Sequence, residues 1–219
     1  MLSDLLEEFR DELIARCAAK VGKRPQRKAT PVQLQNGVPL FLTQLQRTLE
    51  AEQTGRPMES FRISGASGGG ASAVSEIGVG AHEHGIQLAN LQYTIDQVVH
   101  DYGDLCQAIT EVALERRIPL SNEEFRTLNR CLDNAIAVAV TAFSAHRGSL
   151  AFGEAIDDKS GAALGVVLSR LRNAVATATY ASTALEVGNL PMSGATGLLL
   201  KRSLATLREQ LGDAPPNAQ

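Results

Sequence analysis

Apolar residues recur at helical spacing along most of the chain, and the first two such stretches lie near its N-terminus. Ser3 is placed to cap a helix that runs to about Lys20. A second helix is predicted from Pro31 to Leu49, because proline suits the first helical position, where an N–H is not needed. Pro39 interrupts this second stretch and predicts a kink. The apolar face of the first helix comprises Leu5, Leu6, Phe9, Leu13, Ile14 and Cys17.

The middle of the chain combines a glycine-rich segment with two further helical patterns. Gln53–Ser75 contains several glycines and serines and predicts a flexible loop. From Leu88 to Val112 apolar residues keep helical spacing, which predicts one long helix with Gly103 inside it as a close contact or a kink. The segment Ile118–Leu120 ends this helix, since it contains a proline. Ser121–Glu124 has the spacing of a capping box and predicts the start of the next helix.

The last third of the chain predicts two helices joined by a short turn. A joint is expected over Gly148–Gly161, followed by helices over about 162–187 and about 193–211. The turn Gly188–Pro191 is so short that the two helices must pack antiparallel. A lone two-helix hairpin leaves an apolar seam exposed, so we expect two copies to pair into a four-helix bundle. Residues 213–219 are expected to form a disordered tail.

Composition supports an all-α fold and excludes several classes of partner. Hydrophobic residues make up 44% of the chain, but aromatic residues only 4% and tryptophan is absent, so the core must consist of aliphatic side chains. The net charge of −3 provides no positive field for nucleic acid or for an anionic membrane surface. Charged residues near the N-terminus replace the apolar run of a secretory signal. We therefore expect a cytoplasmic protein without nucleic-acid or membrane partners.

Histidines and cysteines are the candidates for chemistry, and most of them favour structural roles. His100, followed by Asp101, could accept a phosphoryl group or act as a base, although its neighbours favour a packing role. His82 and His84 are two residues apart, so on a helix they cannot share a metal, and we expect a solvated helix start there. Three cysteines lack metal-ligand spacing and are expected to be buried, reduced thiols, although a redox pair is not excluded: Cys17, Cys106 and Cys131.

Four short segments in the first 150 residues share a pattern with a bacterial sensor domain. They read DELIARC at 11–17, GVPLFL at 37–42, VVHDYGD at 98–104 and EFRTLN at 124–129. These segments resemble the N-terminal domain of RsbT co-antagonist proteins of the RsbRD type. The resemblance implies a helical sensor domain over residues 1–150. Its motif includes His100, Asp101, Tyr102 and Asp104.

The segment LSRLRN at 168–173 lies in the first helix of the predicted hairpin. It resembles the phosphoacceptor segment of sensor histidine kinases, in which a histidine and an acidic residue precede Leu-Arg-Asn. Ser169 stands at the histidine position and Arg170 at the acidic position. The resemblance implies a degenerate dimerisation hairpin over residues 155–212 that has lost its phosphoacceptor. The docking face that it implies comprises Ser169, Arg170, Arg172 and Asn173.

These features predict a non-catalytic bacterial signal-transduction protein, a pseudo-histidine-kinase or adaptor, that forms homodimers. It would bind a response regulator or a partner kinase. The sequence contains no ATP-binding domain after the hairpin, so we expect no enzymatic activity, no cofactor and no metal. Two alternatives stay open: a histidine phosphotransfer protein that uses His100, and a dimerising fragment of a larger sensor histidine kinase.

Overall fold

The structure is a computed structural model that describes residues 1–23, 37–68, 75–155, 162–187 and 192–211. Every regular element in these ranges is an α-helix and none is a strand, which confirms the predicted all-α fold. No helix in the same ranges is both long and apolar enough to cross a membrane.

The described ranges contain nine helices, and their bounds set the numbering used below. In chain order they are α1 (Leu2–Glu8), α2 (Arg10–Gly22), α3 (Val38–Gln53), α4 (Pro57–Ser64), α5 (Glu76–Asn90), α6 (Ile95–Glu115), α7 (Asn122–Ala155), α8 (Ala162–Val187) and α9 (Ala195–Leu211).

The N-terminal helical pattern forms two helices, so the prediction of one helix capped by Ser3 is wrong. Met1 caps α1, Ser3 is buried, and the helix breaks at Phe9, whose φ is −107° and ψ is 19°. The break lets α1 pack on α3 while α2 packs on α6. The Arg116 guanidinium lies over the Phe9 ring, 5.0 Å from its centre, at the break between α1 and α2. Tertiary packing on two different partners therefore overrides the continuous apolar periodicity.

The predicted kink at Pro39 is absent because α3 begins at Val38, with Gly37 as its N-cap. Pro39 thus lies in the first turn, where its missing N–H has no intrahelical partner to lose. The predicted helix start at Pro31 falls outside the described residues.

The predicted flexible loop over 53–75 contains a helix, α4, which begins at Pro57 and buries Ile63. Glu52 at the end of α3 connects α4 to the neighbouring helices through hydrogen bonds and an ion pair. Its carboxylate accepts hydrogen bonds from Ser60 at 2.7 Å and Thr127 at 2.5 Å, and it pairs with Arg130 of α7. Burial opposes ionisation of Glu52, but these donors outweigh it and lower the pKa of the carboxyl.

The long helix predicted from 88 to 112 is interrupted, because the chain turns between α5 and α6. Gln92 has a φ of 58°, and Thr94 starts α6 with a capping box. The Thr94 N–H donates to Gln97 Oε1 at 2.9 Å, and the Gln97 N–H donates to Thr94 Oγ1 at 3.4 Å. The threonine-to-glutamine spacing was a local signal for this boundary that the apolar periodicity obscured.

The capping box predicted at Ser121 is confirmed. The Glu124 N–H donates to Ser121 Oγ at 3.1 Å, and the Ser121 N–H donates to Glu124 Oε2 at 2.9 Å. The helix that follows, α7, is 34 residues long and continues through Gly148 to Ala155, so the first part of the predicted joint is helical.

The segment DELIARC forms part of α2 and fastens that helix to α6. Leu13 and Cys17 are buried, whereas Arg16 pairs with Glu12 of its own helix and with Glu115 of α6, both at 2.5 Å. Lys20 pairs with Glu111 at 2.7 Å one turn further along. These ion pairs are partly exposed and fix the register of the two helices more than they stabilise the fold.

The closest helix contact is between α5 and α7, and it depends on Gly85. A Cβ atom added to Gly85 would lie 2.3 Å from the carbonyl oxygen of Ala139, so only glycine fits. The core lies on both sides of this contact and is lined mostly by aliphatic residues of α1, α2, α3, α5, α6 and α7. Small buried side chains next to the contact include Gly78, Ala81, Ala89, Ala135 and Ala142.

We expect Gly85→Ala to lower the free energy of unfolding by about 1–3 kcal/mol, because the added methyl group meets backbone that cannot rotate away. Gly103→Ala is the matched control, since a Cβ at Gly103 of α6 meets nothing within 4 Å. That control should raise stability by about 0.5–1 kcal/mol, the usual gain of alanine over glycine in a helix. Urea unfolding of both variants provides the measurement. Equal stability of the two variants would contradict close packing at Gly85.

Candidate functional site

A small cavity lies between the start of α3, the middle of α5 and the first half of α6. Its volume is about 30 Å³, which is room for about two water-sized molecules. Its walls are mostly aliphatic or aromatic, as in small-molecule sites that hold their ligand by a few polar groups. The apolar lining comprises Val38, Leu40, Phe41, Ile77, Ala81 and Leu105.

Two aromatic side chains with polar atoms face this cavity. The rings of His84 on α5 and Tyr102 on α6 are perpendicular, with centroids 6.1 Å apart, and Phe41 meets the other side of Tyr102 at the same distance. Tyr102 is only 8% exposed and His84 is half-buried. Neither the imidazole nor the phenol makes a hydrogen bond to the part of the chain that the structure describes.

Burial keeps both side chains uncharged at neutral pH. It lowers the pKa of His84 to about 4, because the imidazolium would lose its hydration. Burial also raises the pKa of the Tyr102 phenol above its ordinary value, and the nearby Asp101 carboxylate adds to this shift. The cavity therefore presents neutral hydrogen-bonding groups.

His84 corrects an expectation from the sequence. His82 and Glu83 are exposed, as expected, but α5 begins at Glu76, so His84 lies in the middle of the helix and turns inward. The signal was present in the sequence, because His84 has helical spacing with three buried residues of α5. They are Ile77, Ala81 and Leu88.

The four residues of the predicted sensor motif lie within little more than one turn of α6 but have different surroundings. Asp101 and Tyr102 line the cavity, and Asp104 is buried beside it, next to Cys17. His100 is partly exposed and does not line the cavity. The structure thus brings Asp101 and Tyr102 together with His84, and leaves His100 apart from them.

The three cysteines are free thiols. Burial, together with the negative charge of Asp104, raises the pKa of Cys17 to about 12. Burial alone raises the pKa of Cys106, and it raises the pKa of Cys131 to about 12. All three are therefore protonated at neutral pH and are weak nucleophiles.

The predicted docking residues on α8 have unequal positions. Arg170 and Arg172 are exposed. Asn173 is half-buried against α7, where a Cβ atom added to Gly148 would lie 2.0 Å from its Oδ1 atom. The side chain of Ser169 lies outside the described part of the structure. Only the two arginines therefore offer an exposed charged surface here.

The helix pair α8–α9 contacts the rest of the fold mainly through α7, and α8 also contacts α6. Asp133 of α7 caps α9: its carboxylate accepts the Ala195 N–H at 2.7 Å, the Thr196 N–H at 3.3 Å and the Thr196 hydroxyl at 2.7 Å. The next residue, Asn134, donates to the carbonyl oxygens of Ser64 at 2.7 Å and Ala66 at 3.1 Å. One turn of α7 therefore holds both the start of α9 and the end of α4.

Both α8 and α9 have exposed apolar side chains. Val175 of α8 is 51% exposed, and Leu204 and Leu211 of α9 are 46% and 67% exposed. Val167 and Leu168 add to this surface, whereas Ala174, Ala178 and Ala181 of α8 are buried. The helix pair thus has a packed side and exposed apolar residues, with the exposed Arg172 and Arg208 among them.

We expect the stability of the protein to fall by about 2 kcal/mol between pH 6.5 and about pH 5 because of His84. Its folded pKa lies below its unfolded one, so the unfolded chain binds the proton first, and stability is complete above pH 6.5. His84→Gln should abolish this loss, while His82→Gln, two residues earlier and exposed, should retain it. Urea unfolding at several pH values checks this. An unchanged pH profile in His84→Gln would show that the imidazole is not buried in its neutral form.

No group of three or more histidine, cysteine, aspartate or glutamate side chains within the described ranges is arranged to hold a metal ion. In comparisons with known proteins, no family model, no curated protein and no solved structure matches the chain.

Proposed function

We propose that the protein is a non-catalytic signal-transduction adaptor that dimerises through α8 and α9. Residues 1–150 would act as the sensor, and the helix pair would transmit its state to a response regulator or partner kinase. The observation that supports this proposal best is the exposed apolar side of α8 and α9. A surface of this kind marks a protein interaction site when it is continuous along two packed helices.

The leucines of α9 have the spacing of a helix-bundle seam. Leu200, Leu204, Leu207 and Leu211 follow one another at intervals of four, three and four residues. All four are exposed or half-buried, so the seam is not filled by α8 or α7. Two copies of the α8–α9 pair would bury these leucines against each other in a four-helix bundle.

The contact between α7 and α9 provides a route from the sensor to this seam. Asp133 supplies the hydrogen bonds that the first N–H groups of α9 would otherwise lack. A displacement of α7 would therefore move or uncap α9. Because α7 packs on α5 at Gly85, next to His84, a change in the cavity would reach the dimer seam through two helices.

The charge of the helix pair suits an acidic partner. Helices α8 and α9 contain five basic and two acidic residues, whereas the chain as a whole has a net charge of −3. Arg170 and Arg172 are exposed near the middle of α8. Complementary charge of this kind mainly increases the rate and specificity of association with an acidic surface, such as the active site of a response regulator.

We expect the protein to sediment as a dimer and the double variant Val175→Glu, Leu204→Glu to dissociate. Two carboxylates placed in an apolar seam should raise the dimer dissociation constant at least about 100-fold, because they lose hydration without a partner. Leu114→Glu is the control, since Leu114 of α6 is 80% exposed and lies outside the seam. Sedimentation equilibrium distinguishes the variants. A dimer that survives the double substitution would place the interface elsewhere.

Reversal of Arg170 and Arg172 to glutamate should weaken binding of the cognate response regulator by about 1–3 kcal/mol. Reversal of Lys201 and Arg202 on α9 is the matched control, because it changes the net charge equally at another exposed site. Calorimetric titration against receiver domains from the same genome gives the affinities, and thermal melts should be nearly unchanged. If both reversals weaken binding equally, net charge and not a docking face is responsible.

A further inference from the structure

We propose that the cavity between α3, α5 and α6 binds a small uncharged molecule with one hydroxyl or carbonyl group, such as a short-chain alcohol. The site consists of the His84 imidazole and the Tyr102 hydroxyl within an apolar enclosure. This inference goes beyond the adaptor function and does not depend on dimerisation.

The main argument is the pair of polar groups without a partner. Tyr102 is more than nine-tenths buried, and its hydroxyl makes no hydrogen bond within the described ranges. The nitrogens of His84, whose side chain is half-buried, make no hydrogen bond within these ranges either. Because both residues line the cavity, a molecule that enters it can complete the hydrogen bonds that the described part of the chain does not supply.

The residues that line the cavity disfavour a charged ligand. An anion would meet the carboxylate of Asp101 at the wall of the cavity and would find no cation among the residues that line it. A cation would lose its hydration between aliphatic side chains, and Asp101 already interacts with other groups. Neutral imidazole and phenol can each donate and accept a hydrogen bond, which suits a hydroxyl or a carbonyl group.

The size of the enclosure restricts the ligand further. A volume of about 30 Å³ admits two or three non-hydrogen atoms. Gly37 borders the polar edge of His84, since a Cβ atom there would lie 2.8 Å from the imidazole Cε1 atom. On the outer side Leu40 contacts Gly80 and is partly exposed, so this side chain separates the cavity from solvent. The ligand would enter past Leu40.

Ethanol is a suitable probe, and histidine labelled with ¹³C at Cε1 reports its binding. The four histidines give four resonances, and the His84→Gln variant assigns the relevant one. We expect ethanol to shift the His84 resonance in a saturable way, with a dissociation constant of about 1–100 mM, as its three non-hydrogen atoms allow. The exposed His82 should show no saturable shift. Formate and methylammonium, of similar size but charged, should leave His84 unchanged.

Two variants that should fold complete the experiment. Tyr102→Phe removes only the unpartnered hydroxyl, so its thermal stability should not fall while its affinity for ethanol drops at least about 3-fold. Gly37→Ala, at a backbone conformation that alanine adopts readily, should close the polar edge of His84 and abolish the saturable shift. Three results would overturn the proposal: no saturable shift at His84, an equal shift at His82, or full affinity in Tyr102→Phe. None of these results bears on whether the protein is a dimer, which sedimentation equilibrium tests separately.

Discussion

The close approach of α5 and α7 at Gly85 is the constraint on which the rest of the structure depends. Because a Cβ atom at this position would overlap the carbonyl oxygen of Ala139, the two helix backbones touch without intervening side chains. Small residues around the contact bring the helices together along their length. Helices α3, α4, α6, α8 and α9 each contact α5 or α7, whereas α1 and α2 pack on α3 and α6. The cavity and the position of the α8–α9 pair are therefore set relative to α5 and α7.

Adjacent residues of α5 face different partners, which joins the cavity to the long helix. Gly85 contacts α7, while His84 points to the cavity formed with α3 and α6. Such a close-packed contact cannot absorb a shift by local side-chain movement. A change that moves His84 would thus displace α7 as well, and Asp133 on α7 holds the first turn of α9. The proposed ligand site and the proposed dimer seam are in this way two ends of one mechanical connection.

The polar groups of the structure serve mainly to orient helices. Glu52 and Arg130 join α3, α4 and α7, and Arg16 joins α2 to α6. In both clusters hydrogen bonds and opposite charges lower the pKa values of the carboxyl groups, so these remain ionised and paired. His84 and Tyr102 differ from these groups, because they line a cavity and make no hydrogen bond to the described part of the chain. This difference is the reason for assigning them a binding role.

Apolar periodicity and composition by themselves determined that the chain is helical, and local spacing identified the capping box at Ser121. They did not place the breaks at Phe9 and at Gln92, since an apolar stripe records which residues are buried but not against which helix. The inward position of His84 was likewise decided by tertiary structure, as was the capping of α9 by Asp133 from 62 residues away. Both depend on contacts between parts of the chain that are distant in sequence, which a local pattern of apolar residues does not specify.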